Sequence, residues 1–260
     1  MKNPGRIFIT GDIHGQPQLN LSTHCFPEGN KLSKKDVVII LGDFGLLWSY
    51  RRSKEEAKWL KWLDDKPWTT LFIDGNHENF DLIDNLQERE MFGDFVGIVG
   101  HSIFHLKRGH IYRINNKKFL TIGGAHSHDR QYREWGKSMW KQEEITQEDI
   151  DRATKAIQEF QLEGFYVDYI LTHCAPYEYA VKAVPIEVMP YFQMDKSEEF
   201  LSIFKNTSGV QFSRWYFGHY HNNMDDPFMD QWTCLYDKII EITEDQNRLF
   251  ESEYNIKYRM

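Results

Sequence analysis

Two packed β-sheets with helices on their outer faces, an α/β class, is the architecture this sequence predicts. Short apolar, β-rich runs alternate with helix-like stretches through the first half of the chain. The second half is richer in strands and carries a hairpin signal. No internal repeat, low-complexity tract or linker breaks the 260 residues, of which 41% are hydrophobic, so one domain over 1–260 is expected.

The elements follow in order. Arg6–Thr10 is a β-rich run ending at Gly11. Asp36–Leu41 (DVVIIL) is nearly all apolar, the mark of a strand covered on both faces. Ser53-Lys54-Glu55-Glu56 reads as a capping box opening a helix to about Asp65, with Trp59, Leu60 and Leu63 inward. Thr69–Asp74 (TTLFID) is the next strand. Ile111–Asn115 turns through Asn116 and Lys117 into Lys118–Ile122, a hairpin. Thr146 opens a helix in which Ile150, Ala153, Ile157 and Phe160 recur at helical spacing, with Gly164 as its stop. Tyr166–Leu171 and Arg214–Phe217 read as strands. Tyr236–Thr243 alternates apolar and polar residues, which predicts a half-exposed strand. Ala175–Gln211 reads as loop around Pro176, Pro185 and Pro190, with a helix over Ser197–Lys205.

Five clusters of polar residues stand where these strands end: Gly11-Asp12-Ile13-His14-Gly15, Gly42-Asp43, Gly75-Asn76-His77-Glu78, Thr172-His173 and Gly218-His219-Tyr220-His221. Strand ends are where sheets of this class bind ligands. Asp12 and His14 are two residues apart, as are His219 and His221, so in extended chain each pair faces one way. Any one of these clusters is more often a plain turn. Five in series supply enough oxygen and nitrogen donors for two divalent metals about 3.5–4 Å apart, the spacing of phosphoryl-transfer sites.

The rest of the composition narrows the partners. A net charge of −8 argues against broad binding to nucleic-acid backbones. Lys107-Arg108 and Lys117-Lys118 are the basic pairs that could form a local patch. No run approaches the ~18 apolar residues of a membrane span, and the N-terminus shows no signal-peptide pattern. Cys25, Cys174 and Cys234 are odd in number and widely spaced, so a reduced, cytoplasmic setting is expected. Cys174 follows His173 but reads as a small buried hydrophobe, since a hard-oxygen site does not favour a thiolate.

The ordered set GDIHG, GD, GNHE, TH and GHYH resembles the calcineurin-like metallophosphoesterase superfamily, from Asp12 to His221. The resemblance implies a four-layer α/β/β/α sandwich, two mixed β-sheets flanked by helices, with a dinuclear site at one end. It implies Asp12, His14 and His221 on one metal, Asn76, His173 and His219 on the second, and Asp43 bridging both. His77 would be the catalytic histidine, and a hydroxide between the metals would attack phosphorus in line. Mixed oxygen and imidazole donors favour Mn²⁺ as the pair of cofactors, ahead of Fe²⁺, Zn²⁺ or Mg²⁺.

Two stretches refine this expectation. After Asp43 the chain reads Phe44-Gly45-Leu46-Leu47-Trp48, without the further acid and phosphate-gripping Arg common in the family's second motif. That weakens a close match to protein Ser/Thr phosphatases. Gly123-Gly124-Ala125-His126-Ser127-His128-Asp129 is similar to a GGAxSxD stretch in a bacterial and prophage-type branch. Arg130 and Arg133 follow it and are the candidate phosphate-binding residues. Tyr132, Trp135 and Trp140 are placed to stack on a base or to form a lid. His126 and His128 are not expected to be ligands. The expectation is therefore a phosphate-ester hydrolase with a small or nucleotide-like substrate. The alternatives are a nuclease or cyclic-nucleotide phosphodiesterase, a protein phosphatase, and last a non-catalytic scaffold.

Overall fold

A computed structural model describes residues 4–162, 166–226, 231–243 and 248–250. The strands are β1 (Ile7–Thr10), β2 (Val37–Ile40), β3 (Thr69–Phe72), β4 (Glu88–Met91), β5 (Asp94–Ile98), β6 (Ile103–Leu106), β7 (His110–Ile114), β8 (Lys117–Ile122), β9 (Tyr169–Thr172), β10 (Arg214–Phe217), β11 (Met224–Asp225), β12 (Trp232–Cys234), β13 (Ile239–Ile242) and β14 (Arg248–Phe250). The helices are α1 (Gln18–Leu21), α2 (Lys54–Asp64), α3 (Phe80–Ile83), α4 (Gln147–Leu162), α5 (Tyr177–Ala183) and α6 (Lys196–Thr207). Among the described residues, none of these helices is long and apolar enough to cross a membrane.

One sheet has the order β14-β13-β1-β2-β3-β6-β5-β4 and the other β11-β12-β10-β9-β8-β7. Their centres are parallel: β1, β2, β3 and β6 in the first, β8, β9, β10 and β12 in the second. Antiparallel strands flank both centres. Parallel centres matter for function, because they bring the carboxyl ends of several strands to one edge.

Alternating side chains explain the layers. Ile7, Ile9, Val37, Ile39 and Leu71 of the first sheet meet Tyr112, Phe119, Tyr169, Leu171 and Tyr216 of the second in one core between the sheets. Their neighbours Phe8, Val38, Ile40 and Phe72 point the other way and pack with Leu60 and Leu63 of α2. Leu120, Ile122, Ile170, Trp215 and Phe217 turn outward onto Ile150, Ala153 and Ile157 of α4 and Leu201 and Phe204 of α6. The result is the α/β/β/α sandwich with two mixed sheets. Each fully buried Val, Leu or Ile side chain contributes about 1.5–3 kcal/mol to it.

Local signals account for several boundaries. The Ser53 hydroxyl accepts from Glu56 N at 3.1 Å and the Glu56 carboxylate accepts from Ser53 N at 2.8 Å, closing the capping box that starts α2. Asn115 and Asn116 have φ of 45° and 68°, the left-handed pair a two-residue hairpin turn needs.

Elsewhere the structure departs from the reading of the sequence. Tyr236–Thr243 was expected to be half exposed, yet all four residues of β13 are buried. β13 lies between β1 and β14, with Ile239 in the helix-side core and Ile240 in the inter-sheet core. Its polar residue Glu241 is covered by a two-pronged pair with Arg6, each contact 2.7 Å. Trp59 and Trp62 are partly buried at the rim of the core, stacked edge to face at 5.7 Å. The Ala175–Gln211 stretch contains α5, whose Tyr179, Ala180 and Ala183 are buried. Gly164, expected to end α4, lies outside the described residues.

Candidate metal centre

All five polar clusters converge at the carboxyl ends of the central strands. Asp12 and His14 follow β1, Asp43 follows β2, Asn76 and His77 follow β3, His173 follows β9, and His219 and His221 follow β10. The turns that hold them are strained. His14, Asp43, His219 and His221 all have positive φ, between 43° and 67°, a region costly to residues other than glycine. Such strain persists where the surrounding structure imposes it, commonly at functional sites. Gly75 and Gly218 allow the close approach: a Cβ on Gly75 would strike Asp43 Oδ1, and one on Gly218 would strike Asp12 Oδ1.

The candidate ligand atoms crowd together at the centre of the cluster. His14 Nε2 and His221 Nε2 are 3.1 Å apart, and Asp12 Oδ2 lies 3.8 Å from the first and 3.4 Å from the second. Asp12 Oδ2 is buried and has no hydrogen-bond partner among the described residues. Asp12 Oδ1 accepts from His219 N at 3.2 Å. The Asp43 carboxylate spans two sides: Oδ2 is 3.7 Å from His14 Nδ1, and Oδ1 is 3.3 Å from His173 Nε2. His173 Nδ1 lies 2.6 Å from the Leu41 carbonyl, which takes its proton. Nε2 of the same ring lies 3.1 Å from Asn76 Oδ1 and 3.3 Å from Asp43 Oδ1, the face that would bind a cation once that nitrogen has given up its proton. Ring nitrogens and carboxylate oxygens crowded together, with a buried carboxylate oxygen left over, are what residues fitted to cations present. Two groups could each hold an ion: Asp12, His14 and His221, and Asp12, Asp43 and His173.

Electrostatics agree with the geometry. Burial pushes the Asp43 carboxyl up, but His173, His77 and His14 outweigh it and hold its pKa well below the ordinary value. Burial lowers the pKa of His173, but Asp43 and Asp12 reverse this and raise it to about 9. The field that does so is the field a cation would feel. His219, buried and 5.0 Å from the His173 ring, is held well below the usual histidine value by burial first and by His173 second. It is thus kept in the neutral form that binds metal.

His77 stands at the edge of the cluster, its ring 5.5 Å from that of His14 and its backbone N–H donating to Asp43 Oδ1 at 2.8 Å. Burial lowers its pKa, Asp43 opposes this, and Arg133 lowers it further. Arg133 is almost covered. Its guanidinium contacts both ring nitrogens of His77, at 2.8 Å to Nε2, and binds Asp129 at 2.8 Å and Glu143 at 3.2 Å. Arg130 is turned to Glu144 at 2.8 Å, beside His126. Of the aromatics, Trp140 is buried against Trp48, while Tyr132 and Trp135 are exposed by 83% and 58%. Cys174 is fully buried and its thiol pKa is pushed well up by burial. His128 comes within 5.9 Å of the His219 ring.

Two residues at the site carry no role in the reading of the sequence, Ser127 and Glu143. Ser127 accepts from Asn76 Nδ2 at 3.0 Å and donates to Glu143 Oε2 at 2.6 Å. Glu143 lies in the charged run Lys141-Gln142-Glu143-Glu144, which offers no hint that one of the acids is buried.

Comparison with known proteins places this arrangement. The family model described as calcineurin-like phosphoesterase matches residues 5–223, and the chain belongs to that family. Membership makes it a hydrolase of the phosphoesterase type and implies divalent metal cofactors, in keeping with the Asp and His groups just described. One solved chain superposes with a TM-score of 0.52 at 8% identity, covering 96% of this chain and 100% of its own. TT1561 of Thermus thermophilus superposes at 0.49 with 10% identity, covering 96% and 99%. Haemophilus influenzae NAD nucleotidase superposes at 0.44 with 10% identity, over 94% of this chain and 48% of that one. No curated protein matches the sequence.

Proposed function

We propose that this chain is a dinuclear metal-dependent phosphoesterase acting on a small or nucleotide-like phosphate ester, built as a single catalytic domain. The observation that carries this reading is the convergence of the orphaned Asp12 Oδ2 with His14 and His221, beside an Asp43 whose two oxygens face opposite histidines. Asp12, His14 and His221 would hold one cation, Asn76, His173 and His219 the other, and Asp43 would join them. The mixed donors suit Mn²⁺. When bound, such a pair supplies charge neutralisation for the phosphate and an acidified water.

The chain's own groups do the rest. Asp43, anchored by His77 N, sets the separation of the two halves of the site. His77 is held neutral by burial and Arg133, so once the guanidinium moves off the ring for substrate, one ring N–H could hydrogen-bond a phosphoryl or leaving-group oxygen. Arg133 adds a positive charge beside that hydrogen-bond donor, with Arg130 behind it. The exposed faces of Tyr132 and Trp135 flank Arg133 in sequence and favour a leaving alcohol that carries an aromatic ring, such as a nucleoside. A polymer is disfavoured because Lys107 is paired with Glu88 and Arg108 is buried on Asp74, which removes one of the two expected basic patches.

The test is a phosphorus NMR screen of nucleotides, cyclic nucleotides, phosphopeptides and short oligonucleotides with Mn²⁺-loaded protein. Chromogenic monoester and diester substrates are run beside it. Mn²⁺-dependent hydrolysis of a nucleotide or small monoester is expected. Bound Mn²⁺ without turnover of any substrate would contradict catalysis and favour a scaffold.

A further inference from the structure

Asn76 poses a problem its own chemistry cannot solve. An amide is nearly symmetric in shape, but only its oxygen can bind a cation. Facing the wrong way, Asn76 would aim an N–H₂ at the ions. Something must hold Oδ1 toward His173 and Nδ2 away.

The bonding around Ser127 does this. Ser127 is 1% exposed and Glu143 is fully buried. A hydroxyl has one proton and two lone pairs. The Ser127 proton goes to Glu143 Oε2 at 2.6 Å, a short bond to a carboxylate. One lone pair accepts from Asn76 Nδ2 at 3.0 Å and the other from Arg133 Nη1 at 3.2 Å. Every valence of the hydroxyl is used, and each has a fixed sense. Glu143 Oε1 is held in turn by Arg133 Nη1 at 3.2 Å and Trp140 N at 3.0 Å. An acceptor-only group at one end of the chain therefore dictates a donor at the other.

We propose that Glu143, acting through Ser127, is a positioning residue that fixes the Asn76 amide with its oxygen toward the metal centre. The proposal rests on the dinuclear reading above. Replacing Glu143 by Gln reverses the chain. The new side chain keeps its carbonyl on Trp140 N and Arg133 and gives an N–H₂ to Ser127. The Ser127 proton must then turn to Asn76, which flips and presents nitrogen to the cation. Ser127→Ala leaves Nδ2 without its acceptor, so the amide loses its orientation. Ser127→Thr keeps the hydroxyl and the sense of each bond.

The experiment strips the full-length chain with chelator and titrates Mn²⁺ into it by calorimetry, with a melting curve to show that each metal-free variant folds. The wild-type chain is expected to bind two Mn²⁺. Glu143→Gln and Ser127→Ala should each weaken one of the two by about 10–100-fold, the usual cost of losing an outer partner of a metal ligand. Ser127→Thr should bind both as wild type does. If Glu143→Gln does not fold, the Ala and Thr variants at Ser127 decide. Wild-type affinity at both sites in the Ala variant, or equal losses in Ala and Thr, would overturn the proposal. A wild-type chain that binds no Mn²⁺ would instead overturn the dinuclear reading itself.

Discussion

Two buried polar clusters meet the chain two residues apart, at Asp74 and Asn76, and they are built on opposite terms. Asp74, at the end of β3, is 2% exposed and fully answered by its own neighbours. His105 Nε2 meets one oxygen at 2.9 Å and Arg108 Nε the other at 2.6 Å. Arg108 also donates to the carbonyls of Gln142 and Glu144 and faces Asp149 at 3.5 Å. Two residues on, Asn76 enters a cluster with two buried carboxylates, four histidines and an oxygen that nothing among the described residues satisfies. Burial and charge are common to both. What separates them is whether the protein supplies the counter-charge. A closed account marks a structural network, and an open one marks a place for a ligand.

Substitutions can break that contrast, and the largest effect is expected at the open cluster. Asp43→Asn should lose most metal-dependent turnover, by roughly 10³-fold or more, since an uncharged amide cannot serve two cations as the proposed shared carboxylate would. The melting temperature of the metal-free protein should fall, because the histidines that hold the Asp43 pKa down lose their buried counter-charge. Steady-state kinetics and metal analysis check the first part. Full metal content with unchanged turnover would refute the bridging role.

The closed cluster should respond the other way. Arg108→Ala leaves Asp74 buried with one oxygen unmatched and only His105 beside the other, a loss of about 3–5 kcal/mol. At about 2–4 °C per kcal/mol for a chain of this size, the melting curve should move down by roughly 10 °C. Mn²⁺ binding should persist below the transition. A variant that melts like wild type would show that the network is not holding this edge of the sandwich.

His77→Ala sharpens the distinction within the site. It should keep both ions and lose about 10²-fold in turnover, as expected for a hydrogen-bond donor to the reacting group rather than a ligand. Loss of metal instead would move His77 into the ligand set.

The smallest effect is in acid. Burial pushes the Asp74 carboxyl up, but Arg108 and His105 more than reverse this and hold its pKa well below the usual carboxylate value. A depressed folded-state pKa means that the unfolded chain binds the proton more readily. The stability it contributes is complete above about pH 4 and is lost as pH falls toward the folded value. Denaturant curves should therefore show a shallower acid loss for Asp74→Asn than for wild type, starting from a lower stability. Equal slopes below about pH 4 would remove Asp74 from the acid response.

Much of the open cluster was legible in the sequence because its polar residues sit in short turns after apolar runs. DVVIIL could only be a covered strand, and Asp43 follows it. The hairpin and the capping box at Ser53 were legible because their chemistry is local, although the turn falls on Asn115-Asn116, one residue before the Asn116-Lys117 read from the sequence. The edge strands were not. β4 is Glu-Arg-Glu-Met and largely exposed, so it shows no apolar alternation. β13 was misjudged because Glu241 imitates a solvated position until Arg6, 235 residues away, covers it. α5 hid among prolines. Glu143 left no trace at all, since a buried acid in a charged turn is distinguished only by what folds against it.

The central claim is that seven side chains from both sheets make one paired-ion centre. Anomalous diffraction from crystals grown with Mn²⁺ tests it most directly. Two peaks about 3.5–4 Å apart are predicted, with Asp43 between them, Asp12, His14 and His221 on one side and Asn76, His173 and His219 on the other. No peak at the ends of β1, β2, β3, β9 and β10, or a single ion that leaves Asp43 uncoordinated, would contradict it.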